Sequence, residues 1–168
     1  MSAGGHRPRA GDNSMKSNLI GVQRRSGAAS GKWLKKSRGT VWPEEAMKLG
    51  LSPGSPVYRF HRLCFVDDVP IAIEYTTVST EYIPSVESVD LSVYGALQRA
   101  GSRPARALQR LRAVLLEEAQ AQLLNGRAGE AGLLVERLSF LGDGRIVALS
   151  SSLYRGDHYD FVTELTSS

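Results

Sequence analysis

From Pro56 to Ser79 the chain alternates with a period of two. Val57-Tyr58-Arg59-Phe60-His61-Arg62-Leu63-Cys64-Phe65-Val66 reads as one strand, and Pro70 to Ser79 as a second, joined at Asp67-Asp68. Successive side chains on a strand point to opposite faces. Tyr58, Phe60, Arg62, Cys64 and Val66 therefore share one face, as do Ala72, Glu74, Thr76 and Val78 on the second strand. Register decides whether the two charges meet. A three-residue loop, Asp67 to Val69, sets Arg62 opposite Glu74, whereas a two-residue loop sets Glu74 opposite His61 and turns Arg62 away. A buried ion costs several kcal/mol unless paired and hydrogen-bonded. If both groups face inward, they brace each other or await a polar ligand.

The same reading places the remaining elements. Lys16 to Arg25 predicts a short helical turn, Gly27 to Gly31 a flexible break, and Trp33 to Thr40 a lysine-rich edge strand. Pro43, followed by Glu44 and Glu45, opens a helix whose apolar side is Ala46, Met47 and Leu49, closed by Gly50. Thr80 to Val89 is irregular, and Asp90-Leu91-Ser92 opens a helix over Val93 to Ala100. Pro104 to Leu115 fits strand or helix by pattern, and Pro104 favours strand. Glu117 to Leu124 is composed of good helix formers and stops at Asn125-Gly126. Gly132 to Leu141 and Ile146 to Tyr154 form a hairpin around Gly142-Asp143-Gly144. Tyr159 to Leu165 is expected to finish the sheet, so that Arg145 to Leu165 partners the first hairpin. The order predicts an antiparallel sheet covered by helices, an α+β fold.

Composition then narrows the class. The chain has 168 residues, 42% of them hydrophobic, which suits one domain with a tail. Residues 1–16 read as a disordered tail, or as a remnant ahead of the second methionine, Met15. No apolar run approaches the roughly 20 residues of a membrane span, and no signal-peptide core is present. The single cysteine, Cys64, cannot form an internal disulfide, which fits a cytoplasmic location. A pI of 9.4 suggests nucleic acid, yet the charge is segregated. Residues 1–38 carry nine Lys/Arg and one Asp, while residues 39–168 carry twelve Lys/Arg and sixteen Asp/Glu. The folded part is mildly acidic and lacks the clustered cations that DNA phosphates require. No phosphate-binding loop, nucleophile elbow or metal-ligand cluster is legible. No cofactor is expected.

Three stretches carry a family resemblance. The first is Leu49-Gly50-Leu51-Ser52-Pro53-Gly54-Ser55-Pro56-Val57-Tyr58, with the Arg62 strand and Val69-Pro70-Ile71-Ala72-Ile73-Glu74. The second is Leu91-Ser92-Val93-Tyr94, then Arg103-Pro104-Ala105-Arg106-Ala107 and Glu118 to Leu124. The third is Ser152-Leu153-Tyr154-Arg155-Gly156-Asp157-His158-Tyr159-Asp160-Phe161-Val162. Together they resemble the UTRA ligand-sensing domain of GntR-type transcription regulators of the HutC branch, over residues 17–168. The resemblance implies a six-stranded antiparallel sheet with flanking helices, related to the chorismate lyase fold. It implies a pocket for a small effector bearing a carboxylate or phosphate, and a homodimer. DNA would be bound only through a separate winged-helix domain, which the residues before the matching region are too few to form. No membrane partner is implied.

Carried over residue by residue, the resemblance implies a ligand site at Arg62, Glu74, Ser92 and Tyr154, with Cys64 where many relatives have a second arginine. Arg62 offers a planar fork for an oxyanion. Ser92 lies at an expected helix start, where backbone N–H groups favour an anion. Tyr154 offers a ring wall and one hydroxyl. Ala148 stands where many relatives have a glutamate. These two departures point to a smaller, less polar or singly charged effector. Arg106, Arg110 and Arg112 offer replacement charge or a solvated strand face. Arg155 and Asp157 fit a structural pair, and Cys64 fits a small core residue. A brace between Arg62 and Glu74 with no ligand role is the competing account of that pair. The competing function is a lyase acting on a chorismate-like aromatic acid.

Overall fold

In a computed structural model, residues 22–23 and 29–161 are described. They form β1 (Val22–Gln23), β2 (Ala29–Thr40), α1 (Pro43–Leu49), β3 (Pro56–Val66), β4 (Val69–Ser79), α2 (Val93–Arg99), β5 (Arg106–Leu115), α3 (Glu118–Leu123), β6 (Ala131–Phe140), β7 (Ile146–Arg155) and β8 (Asp160–Phe161). Six strands make one antiparallel sheet in the order β2-β3-β4-β7-β6-β5, and β1 pairs with β8 as a separate ribbon. The expected α+β sheet is the one observed. Pro104 does precede a strand, and lysine-rich β2 is an edge.

Three expectations change. Val22 and Gln23 lie in a strand instead of a helical turn, and the rest of that turn and the first 16 residues fall outside the described residues. Ala29 to Gly31 is not a break, because backbone pairing with Cys64, Phe65 and Val66 extends β2 to include it. Within the described residues, Asp160 and Phe161 pair with β1 and do not finish the main sheet. The neighbour of β4 is β7.

The first hairpin reaches its register by an unexpected route. Asp67 and Asp68 both have positive φ, 48° and 61°, as a two-residue mirror-image turn requires. Such a turn sets Val66 opposite Val69 and Phe65 opposite Pro70, yet Cys64 faces Ala72. Ile71 is an extra residue, a bulge that shifts the pairing by one. Arg62 consequently faces Glu74, as a three-residue loop alone would have arranged.

Both faces of the sheet are covered. On the Arg62 face, α2 packs Ala96 and Leu97 against Tyr58, Phe60, Val78 and Ala148. On the other face, Ala121 of α3 and Leu124 at its C-terminal cap pack against Leu63, Ile73 and Leu153, and α1 packs Ala46 against Val57. Met47, expected on the apolar side of α1, is 86% exposed, and Glu45 takes the inward place at 7%. Its carboxylate is fully engaged. Arg59 Nε donates to Oε1 at 2.9 Å and Arg59 Nη2 to Oε2 at 2.5 Å. The Thr77 hydroxyl donates to Oε1 at 2.8 Å, and the Trp42 backbone N–H to Oε2 at 2.8 Å. The Trp42 ring lies 3.9 Å from the Arg59 guanidinium. Helix start, β3 and β4 are thereby tied at one point.

Burial works against the Glu45 charge, but the bonds from Arg59, Trp42 and Thr77 outweigh it and hold its carboxyl below the ordinary 4.5. A carboxyl depressed on folding contributes stability that is present above its unfolded value and lost as pH falls through its folded one. We expect urea-unfolding stability to decline below about pH 4.5, and Glu45→Gln to flatten that part of the profile. At pH 7, Glu45→Ala should cost about 2–4 kcal/mol, because it leaves Arg59 buried without its partner. Asp68→Gly should instead add about 0.5 kcal/mol by relieving the left-handed backbone; the same urea titration reads both.

Candidate functional site

Five strands and one helix line a cleft of about 110 Å³ on the Arg62 face. Its floor follows from cross-strand register. One row across the sheet is Arg62, Glu74, Ser152 and Val135 on β3, β4, β7 and β6. The next is Phe60, Thr76, Ser150 and Arg137, continued by Gln109 on β5. Ser92, Val93 and Tyr94, from the start of α2, form the roof, and Tyr154 closes one end.

Arg62 is held on all sides. Its Nε donates to Glu74 Oε2 at 3.0 Å, and its Nη2 donates to the same oxygen. Nη1 donates to the Leu91 carbonyl at 2.6 Å. Trp33 lies beneath the guanidinium at 5.3 Å, within cation–π range. A Cβ at Gly31 would sit 3.0 Å from Arg62 Cδ, so glycine there lets the arginine stem lie along β2. Trp33 and Lys36 fasten the same roof loop through the Asp90 and Val89 carbonyls. Burial disfavours the Arg62 charge, yet the Glu74 carboxylate and Cys64 raise its pKa overall. Arg62 and Glu74 thus form the ion pair of the competing account, and Arg62 also anchors the loop that carries Ser92.

The other expected residues separate. Ser92 lines the cleft, and its Oγ accepts the Gly95 N–H at 3.0 Å, capping α2. Tyr154 is 4% exposed and stacks on Tyr159 with ring centroids 3.9 Å apart. Burial, reinforced by the nearby Tyr159 and Glu74, pushes its phenol well above the usual value, so its O–H stays protonated and able to donate. Cys64 packs with Val66, Ile71, Ala72 and Val135 and does not line the cleft. Ala148 does line it. His61 lies on the opposite face, stacked on Tyr75 at 4.0 Å. Arg106, Arg110 and Arg112 are exposed on that opposite face, because the β5–β6 register turns Gln109 and Leu111 toward the cleft. They do not replace charge in the cleft.

Arg155 has the structural role expected of it. It pairs with Asp157 at 2.6 Å and donates to the Leu124 and Asn125 carbonyls, both at 3.0 Å, tying off the end of α3. Gly156 is required beside it, since a Cβ there would lie 2.9 Å from the Ala131 carbonyl oxygen.

Sequence reasoning passed over Arg137. It lines the cleft, half-buried, on the face shared with Val135 and Ser139. The signal was present: alternation along Gly132 to Leu141 puts it there once the hairpin with inward Tyr154 is accepted. The lining hydroxyls Thr76, Ser139, Ser150 and Ser152 were equally legible from alternation. A second, larger groove of about 270 Å³, between α3 and the other face, is mostly apolar and includes Tyr75, Leu115 and Leu134. Among the described residues no group of three His, Cys, Asp or Glu could hold a metal ion, and no helix is long and apolar enough to cross a membrane.

The six-stranded sheet with its cleft under α2 is the architecture of a known domain family. Residues 24–160 match the UTRA domain, and the chain belongs to that family. It is 30% identical over 122 residues to the HTH-type transcriptional repressor NagR of Bacillus subtilis, covering 71% of this chain and 50% of NagR. It is 27% identical over 116 residues to the repressor PhnF of Mycolicibacterium smegmatis, covering 67% of this chain and 48% of PhnF. The chain thus spans about half the length of these relatives. The ligand-binding domain of a GntR-family regulator from Bordetella bronchiseptica superposes with a TM-score of 0.80 at 24% identity, covering 89% of this chain and 98% of that one. The effector domain of PhnF superposes with a TM-score of 0.78 at 24% identity, covering 83% of this chain and 88% of that one.

Removing the clamp should loosen the roof before the sheet. Arg62→Met is expected to cost about 2–4 kcal/mol, leaving Glu74 unpaired. Hydrogen exchange should accelerate at residues 89–92 more than in β6 or β7.

Proposed function

We propose that the chain is the effector-sensing and dimerisation domain of a GntR/HutC-type regulator. In this reading a small anionic metabolite enters the cleft and alters DNA binding by a separate winged-helix domain in the cytoplasm. The observation that carries the reading is the Arg62–Glu74 pair. It faces a cleft lined with hydroxyls, and Arg62 also holds the Leu91 carbonyl next to the roof helix. A ligand that competes for Glu74 or for the Arg62 donors changes how firmly residues 89–92 are held. An effector acts by binding two conformations unequally, and in this reading they are the clamp held and the clamp released. Homology to repressors and the use of Glu74 as the partner of Arg62 favour sensing over catalysis. The modest cleft volume suits a compact metabolite.

Native mass spectrometry of protein purified without added ligand is expected to show a dimer with one small molecule per chain. Release of that molecule should lower the melting temperature, because a ligand specific to the folded state stabilises it by mass action. A monomer at micromolar concentration would count against the dimer. Turnover of a chorismate-like acid would count against sensing.

A further inference from the structure

Cations stand at both ends of the cleft, and they are not equivalent. Arg62 and Arg137 lie on β3 and β6, three strand spacings apart, which is about 14 Å between backbones. Arg62 is neutralised by Glu74 and bonded to Leu91. Arg137 sits in no ion pair among the described residues. Its Nε and Nη2 donate to one neutral acceptor, Gln109 Oε1, at 3.1 and 2.8 Å. A guanidinium has five N–H donors, so donors remain at Nη1 and Nη2. The charged side chains lining the cleft are Arg62, Glu74 and Arg137, a net of one positive charge. Across from Arg137 stands Ser150, then Thr76, with Ser139 and Ser152 in the neighbouring rows.

We infer that Arg137, held in place by Gln109, is the anion anchor of the cleft, and that its ligand is a singly charged, hydroxyl-bearing oxyanion. The acidic group pairs with the Arg137 fork. The hydroxylated body lies along Ser150, Ser152 and Thr76 toward Glu74. Arg62 serves as the clamp of the roof and not as the primary anion contact. Burial disfavours the Arg137 charge and outweighs the opposing influence of Tyr154, Glu74 and Tyr159, so its pKa is lowered; a bound anion would offset part of that cost. A carboxylate or monoanionic phosphate ester meets the single net charge, whereas a compact dianion leaves one charge unmatched. The inference rests on the sensing proposal for the identity of the site, but its test does not need the natural effector.

The probe is inorganic phosphate at about pH 5.5, where it is chiefly the monoanion, titrated against sodium chloride at equal ionic strength and followed by the Nε–H signals of the arginines in ¹H–¹⁵N spectra. The Arg137 signal is expected to shift saturably, and the melting temperature to rise by about 3 °C at roughly ten times the dissociation constant. Arg137→Gln should weaken phosphate at least about tenfold, equivalent to 1.4 kcal/mol. Gln109→Glu, which supplies Arg137 with a carboxylate partner, should abolish the response without lowering basal stability. This second variant guards against a folding defect in the first. A saturable shift confined to Arg62 would overturn the assignment and leave an anionic effector intact. Undiminished phosphate stabilisation in Arg137→Gln would overturn it in the same way. No response at either arginine would overturn both the anchor and the anionic effector.

Discussion

The ion pair between Arg62 and Glu74 governs how this domain is put together. A guanidinium and a carboxylate on a largely covered sheet face are tolerable only together, since either alone is a partly desolvated charge. Their pairing needs one register, and in that register Ile71 must bulge. The pair also needs space on β2, which Gly31 provides, and an acceptor for Nη1, which the loop before α2 provides. Sheet register, edge strand and roof are therefore coupled through one side chain.

A second polar knot stands on the other face. Glu45, Arg59 and Thr77 tie α1 to β3 and β4 with no access to the cleft. The two knots differ in saturation. Glu45 uses both oxygens on protein donors, which suits a permanent brace. Glu74 places both Arg62 bonds on Oε2, leaving an acceptor edge for something else. Two acid–arginine pairs in one hairpin thus have different chemical prospects, and the difference lies in their neighbours and not in their residue types.

The cleft joins hydroxyls, one braced ion pair and one cation with a neutral partner. Such a surface can orient a polar ligand by direction as well as by charge. Arg137 brings a second cation to the cleft from β6, three strands away from Arg62 on the same face of the sheet. The ligand's charge would accordingly sit near β6 while the clamp that responds lies near β3. Separation of anchor from clamp allows binding strength and conformational response to vary independently.

Much of this was written in local pattern. Alternation alone placed Arg62 with Cys64 and Glu74 with Thr76, because a strand's period of two is imposed by its own backbone. Pro43, Gly50 and Ser92 marked helix ends for equally local reasons. The meeting of Arg62 with Glu74 was inferred from a loop length that does not occur; the bulge at Ile71 restores it, and a bulge has no fixed local signature. Glu45 looked like a first-turn acid favoured by the helix dipole, and only packing of α1 on β3 and β4 revealed it as a buried acceptor. Arg137 and Gln109 lie 28 residues apart. Their contact, and the turning of Arg106, Arg110 and Arg112 to the other side, depend on β5 pairing with β6 in one register. Backbone geometry along a strand is a property of sequence neighbours, whereas the partner across the ladder is chosen by the whole fold.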